Sequence, residues 1–255
     1  MSIIIHPEFE KLKNRLSDLI IEYDELVFKI CPNIEAEYLL NFGFLEYDLY
    51  KKDVELSKIK RKFQLMRIQV NNQETIDIDF INEVLDEEFI EYEKKLKKQM
   101  DELDNLSNIS MVKALSKDDS KKLKSIYKKC VLKLHPDLNK NLSDHEKDLF
   151  LLVTESFKNE DLNTLESLYY SIENEVTDHD FDEIKLTDLI DDLESKIKKI
   201  KDSFPYNKKE LVEDSAMSKK YKEDLKKLLE QFEKEIRKYN DKIIDLNVQY
   251  SKEQF

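Results

Sequence analysis

Residues 121–157 read KKLKSIYKKCVLKLHPDLNKNLSDHEKDLFLLVTESF, and the periodicity of this stretch decides the fold. Leu123, Ile126, Tyr127, Cys130, Val131 and Leu134 fall at i, i+3, i+4, i+7, i+8 and i+11, which is one face of an α-helix. The other face carries Lys121, Lys122, Lys124, Lys128, Lys129 and Lys133, so the spacing predicts a buried stripe with six ammonium groups outside it. Asp119 or Ser120 is placed to cap the start. Pro136 cannot continue the helix, and it pushes His135 out of helical dihedrals. Ser143 and Glu146 then form an S-x-x-E capping box, after which Phe150, Val153 and Phe157 recur at helical spacing with Leu149 beside them. The expected product is a pair of helices around a short polar loop, with His135 and Asp137 near its start.

Outward from this pair the same rhythm repeats. Leu162, Leu165, Leu168, Tyr169 and Ile172 mark a further amphipathic helix just downstream. Toward the N-terminus, Pro7 suits a first helical turn, and Phe9, Leu12, Leu16, Leu19, Tyr23, Leu26 and Ile30 alternate spacings of three and four. Pro32 is expected to stop that helix. A second, from Ile34 to Val70, would be about 55 Å long. Asn71-Asn72-Gln73 is the expected turn, and a third helix runs from about Asp79 to Leu106. Gly43 lies inside the second helix, where it costs ~1 kcal/mol against alanine, so close approach of another backbone is expected there. In the C-terminal part, Ile184, Leu189, Leu193, Ile197 and Ile200 mark a helix from Phe181 to Phe204 that Pro205 breaks. Tyr221, Leu225, Leu228, Phe232, Ile236, Tyr239, Ile243, Leu246 and Tyr250 form a longer stripe, expected to pack as a coiled coil against the preceding helix or a second chain.

One glycine and four prolines in 255 residues leave little material for tight β-turns, so the expected fold is all-α. Short connections between long helices predict antiparallel neighbours. The resulting division is an N-terminal helical region over 1–107, a small domain over 110–175 and a C-terminal helical hairpin or coiled coil over 180–255. No apolar run is long enough for a membrane span or a signal-peptide core, and Cys31 and Cys130 are isolated, which fits a reducing, cytoplasmic setting.

Charge narrows the partners. Six lysines against Asp137 give residues 120–137 a net charge of +5 in a chain of −13, which leaves −18 for the remainder. Such an acidic body disfavours nucleic acid and anionic membranes, whereas a local basic patch suits an acidic protein surface. A single glycine rules out a P-loop or dinucleotide fingerprint, and no nucleophile and base are paired, so no enzyme and no cofactor are expected. Cys130, His135 and His145 match no zinc-module spacing, so no metal site is expected. His6 and His179 read as surface residues.

The segment resembles the J domain, the module with which DnaJ-type co-chaperones engage DnaK-type chaperones, over roughly 55 of the 255 residues. The family's second-helix pattern appears as Tyr127, Lys128, Lys129, Val131, Leu132 and Lys133, followed by His135-Pro136-Asp137, and Asn139 also fits. Its third-helix F-x-x-I-x-x-A-Y becomes Phe150-Leu151-Leu152-Val153-Thr154-Glu155-Ser156-Phe157. The family's first helix has no counterpart before Lys121 beyond a stub at Met111–Leu115. Leu134 stands where an aromatic is usual and Leu138 where a basic residue is usual.

This resemblance implies docking of the second helix and loop on the ATP-bound form of a DnaK-type chaperone, whose ATP hydrolysis is accelerated. Lys124, Lys128, Lys129 and Lys133 would supply charge complementarity, Asp137 would accept hydrogen bonds from a partner arginine, and His135 would add directional contacts. Pro136 would fix the loop. Tyr127, Val131 and Leu134 would pack against Phe150, Val153 and Phe157. The absence of a Gly/Phe-rich linker and of zinc-binding repeats is similar to the third, heterogeneous class of J proteins, with helical arms for client binding or localisation and for homodimer formation. The alternative is a structural or adaptor protein in which a degenerate J fold orients coiled-coil arms. Burial of the loop against an arm would mark that case.

Overall fold

A computed structural model describes residues 7–107, 115–139, 141–175 and 183–253. All regular secondary structure among the described residues is helical, with no strand. In chain order they form α1 (Pro7–Glu25), a π-helical turn at Leu26–Ile30, α2 (Cys31–Tyr38), a second π turn at Leu39–Gly43, and α3 (Phe44–Asn71). There follow α4 (Ile78–Ser107), α5 (Lys117–Leu134), α6 (Asp144–Lys158), α7 (Leu162–Glu175) and α8 (Glu183–Asp202). A 3-10 turn at Tyr206–Lys208 then leads into α9 (Lys209–Glu213) and α10 (Ser215–Glu253). No helix among the described residues is long and apolar enough to cross a membrane. His6, His179, Phe181 and Met111–Ala114, most of the expected stub, lie outside the described residues.

Pro32 does not stop the first helix. Helical conformation continues past it, because the π turn at Leu26–Ile30 comes first and the Cys31 N–H reaches back to the Leu26 carbonyl. A widened turn relieves the clash between the proline ring and the carbonyls of the preceding turn.

The chain falls into two compact units, Met1–Glu35 with Met111–Lys209 and Ala36–Ser110 with Glu210–Phe255. This grouping cuts across the chain-order segments 1–107, 110–175 and 180–255.

The first unit is built on α5, whose Leu123, Tyr127, Cys130, Val131 and Leu134 are fully buried and whose Ile126 is nearly so. Helices α6 and α7 pack on it and on each other, contributing Leu149, Val153 and Phe157 and then Leu165 and Ile172. Helix α1 packs on α5 as well as on α8. The residue pairs Asp18–Lys128 and Glu25–Lys124 run in opposite order, so α1 lies antiparallel to α5. By contrast, Arg15 bonds Glu194 at 2.6 Å and Glu22 accepts from Lys201 at 2.6 Å, both 179 residues apart, so α1 and α8 are parallel. The buried face of α8 is Leu186, Ile190 and Ile197.

The second unit joins α3 to α4 and α10. Arg61 chelates Glu88 with bonds of 2.8 and 2.7 Å and Lys58 reaches Asp86 and Glu93, which sets α3 and α4 antiparallel around Asn71–Asp77. Asp77 caps α4 by accepting from the Phe80 N–H. Helix α10 packs on α3, with Tyr221 edge-on to Phe42 and Tyr239 edge-on to Phe63. The order of those pairs makes α10 parallel to α3. The stripe on α10 thus finds α3, since an apolar stripe fixes which face is buried but not against what. Gly43 is approached not by another backbone but by the Leu103 side chain of α4, whose Cδ2 occupies the place of a Cβ.

Candidate docking site

Both helices that bracket the His135-Pro136-Asp137 loop are capped by short polar pairs. Helix α5 begins at Lys117, earlier than expected, because Ser116 and not Asp119 or Ser120 is its cap: the Ser116 hydroxyl accepts from the Asp119 N–H at 3.1 Å and donates to the Asp119 carboxylate at 2.7 Å. Helix α6 carries the expected box, with the Glu146 N–H on Ser143 Oγ at 3.2 Å and the Ser143 N–H on Glu146 Oε2 at 2.7 Å. The Ser116 cap fixes the far end of α5, while the Ser143 box fixes the start of α6 and so the downstream end of the loop.

The loop closes on itself. His135 ends α5 in extended conformation, φ −68° and ψ 128°, as the following proline requires. Its carbonyl accepts from the N–H groups of Leu138 at 3.0 Å and Asn139 at 2.9 Å, and its Nδ1 accepts from the Asp137 N–H at 3.1 Å. That last bond places the proton of the neutral ring on Nε2. Burial lowers the His135 pKa below the ordinary imidazole value, with the Asp137 charge opposing the shift. The ring stands edge-on to Phe150, centroids 5.1 Å apart. Asn139 is buried at 3% exposure and donates to the carbonyls of Leu132 and His135, so it braces the loop from inside. Pro136 and Asp137 remain exposed.

Beneath the loop, Tyr127 stacks on Phe157 at 3.9 Å between centroids, and Lys29 lies 4.1 Å over the same Phe157 ring. Leu134 and Leu138 are buried. A basic side chain at 138 would therefore have to bury its charge, which gives the apolar residue there a structural reason. Cys130 faces the core, and burial pushes its thiol up to about 12. His145 lies exposed in the first turn of α6, and no group of three metal-ligating side chains occurs among the described residues.

The expected lysines divide by the helix that they meet. Lys124 pairs with Glu25 at 2.6 Å and Lys128 with Asp18, both carboxylates belonging to α1. Lys122 pairs with Glu166 of α7, and Lys129 lies 5.0 Å over the Tyr169 ring. Lys121 is exposed and Lys133 half-buried. Beside the loop a cleft of 180 Å³ is lined by His135, Asp137, Tyr23, Asp24, Asp192 and Lys196 over an apolar floor from α1 and α8.

Asp24 is the residue that sequence reasoning missed. It sits beneath the lysine face, accepts a 2.6 Å hydrogen bond from the Tyr127 hydroxyl, and is raised by burial to about 6 although that bond opposes the shift. Burial, then the Asp24 charge, raises the Tyr127 hydroxyl, so it stays a donor. The only sequence signal was a carboxylate next to Tyr23 on a half-apolar helix, and without knowledge that α1 lies on α5 it reads as solvated.

No family model, curated protein or solved structure matches this chain.

Proposed function

We propose that the first unit serves as a J-type docking module, which engages a DnaK-type chaperone through the His135-Pro136-Asp137 loop and α5 and stimulates its ATP hydrolysis in the cytoplasm. The observation that supports this most directly is the internally braced loop. His135 and Asn139 hold it from within while Pro136 and Asp137 face solvent, so that a partner meets a preformed shape and loses little entropy on docking. The protein supplies no catalytic group in this reading; hydrolysis belongs to the partner, and the remaining helices serve client binding, localisation or homodimer formation.

A second reading is favoured by a specific observation. Lys124 and Lys128 are engaged by α1 and not free, as they would be in an adaptor whose degenerate J fold only orients helices. Steady-state ATPase measurements with the DnaK-type chaperone of the same organism separate the two. In the docking reading the full-length protein raises the partner's turnover and His135→Gln abolishes the effect with circular dichroism unchanged. In the adaptor reading the wild-type protein gives no stimulation at any concentration.

A further inference from the structure

Of the six acidic residues of α1, four lie within a short span, Asp18, Glu22, Asp24 and Glu25, and these four find partners inside the first unit. Glu22 is held by Lys201 of α8 and Asp24 by the Tyr127 hydroxyl, leaving Asp18 and Glu25 as the two carboxylates that meet lysines of α5. They meet Lys128 and Lys124, one helical turn apart on the edge of α5 that leads toward the loop. Seen from α5, this edge of α1 has the chemistry of the acidic protein surface that a basic helix face would recognise. Each pair has one exposed member through which it can exchange, Asp18 at 57% and Lys124 at 50% side-chain exposure, against 34% for Lys128 and 16% for Glu25, whereas α1 itself is fastened by the buried Leu16, Leu19 and Ile20. The helix can therefore stay in place while its carboxylates give up the lysines.

We propose that Asp18 and Glu25 of α1 act as an internal competitor for Lys128 and Lys124, so that an acidic partner docks on α5 only by exchanging its own carboxylates for these two. The inference rests on the docking function proposed above and adds its regulation: anything that draws Asp18 or Glu25 away strengthens docking without altering the loop. Partly exposed ion pairs of this kind are each worth a factor of roughly 1.5 to 5 in an equilibrium constant, so losing both tightens docking about two- to twenty-five-fold.

The test is the concentration of full-length protein that gives half-maximal stimulation of the cognate DnaK-type ATPase, measured for wild type, for Asp18→Asn with Glu25→Gln, and for a control of equal net charge, Asp188→Asn with Asp191→Asn on α8. The exposed single change Asp18→Asn, expected to give a smaller shift in the same direction, serves where the double variant is less helical by circular dichroism. Internal competition predicts a fall in half-saturation of about two- to twenty-five-fold for the α1 variant, an unchanged maximal rate, and little change in the control. Equal half-saturation for wild type and α1 variant overturns the competition and leaves the docking function standing. A fall of the same size in the control assigns the effect to net charge and overturns the competition also. If none of the proteins stimulates, the docking function fails and the competition fails with it.

Discussion

Gln73 and Glu160 adopt left-handed backbone conformation, with φ of 60° and 57°, at the ends of α3 and α6, a position that glycine usually fills. The N–H groups of Gln73 and Glu74 return to the carbonyls of Val70 and Gln69, and those of Glu160 and Asp161 to Phe157 and Ser156, so both helices end in the same hydrogen-bonded reversal. A chain whose single glycine lies inside a helix must build these reversals from ordinary residues, at about 1 kcal/mol each. Glu160 offsets its cost through Lys29, 3.4 Å away, but Gln73 is exposed and makes no such contact. Gln73→Gly is therefore expected to stabilise the protein by roughly 0.5–1 kcal/mol, partly offset by the greater freedom glycine gives the unfolded chain. Chemical denaturation would read this as a higher midpoint at constant slope, and a lower midpoint would show that Gln73 contributes something its backbone does not reveal.

Between α1 and α5 the contact of Asp24 with Tyr127 makes this helix pair sensitive to pH. Folding raises the Asp24 carboxyl from its ordinary 3.8 to about 6, so between those values the native state keeps a proton that the unfolded chain releases. For this group, then, stability is full below about pH 4 and falls as pH rises through 6, by about 2 kcal/mol after allowance for partial solvent access. An asparagine keeps the acceptor for Tyr127 and never ionises. Asp24→Asn should therefore melt at a higher temperature than wild type at pH 7.5 and at nearly the same temperature at pH 4. A gap of equal size at both values would mean that the carboxyl does not titrate as its burial requires. The pairing of these helices also marks where sequence reading stops. Every apolar position of the α5 stripe is buried as its spacing predicts, and the Ser143–Glu146 cap forms, because both depend on residues within a few positions of one another. That α1 supplies the cover over α5 was not legible, since a heptad stripe states which face seeks burial and leaves the partner open. Pro32 was misread for a related reason: the π turn that accommodates it has no signature in residue type.

At the scale of the whole molecule, an all-helical chain was legible from composition alone, because one glycine and a regular apolar rhythm leave no other way to satisfy the backbone. The expected loop was equally legible, with His135, Pro136 and Asp137 at the end of α5, while the state of its lysines depended on carboxylates about a hundred residues earlier. Helical proteins usually fold through local contacts, but here α1 takes its parallel partner from α8, 179 residues along the chain. That offset carries a consequence for biosynthesis. At ribosomal rates of about 5–20 residues per second, α1 waits roughly ten to forty seconds before α8 exists to meet it, with Leu16, Leu19 and Ile20 short of their final packing throughout. Nascent chains arrested at increasing lengths should accordingly keep α1 open to protease until Asp202 has emerged, and protection of α1 once α7 alone has emerged would show that α5 suffices to hold it. Until then a protein proposed to assist a chaperone presents, at its own N-terminus, the kind of unsatisfied apolar helix that chaperones bind.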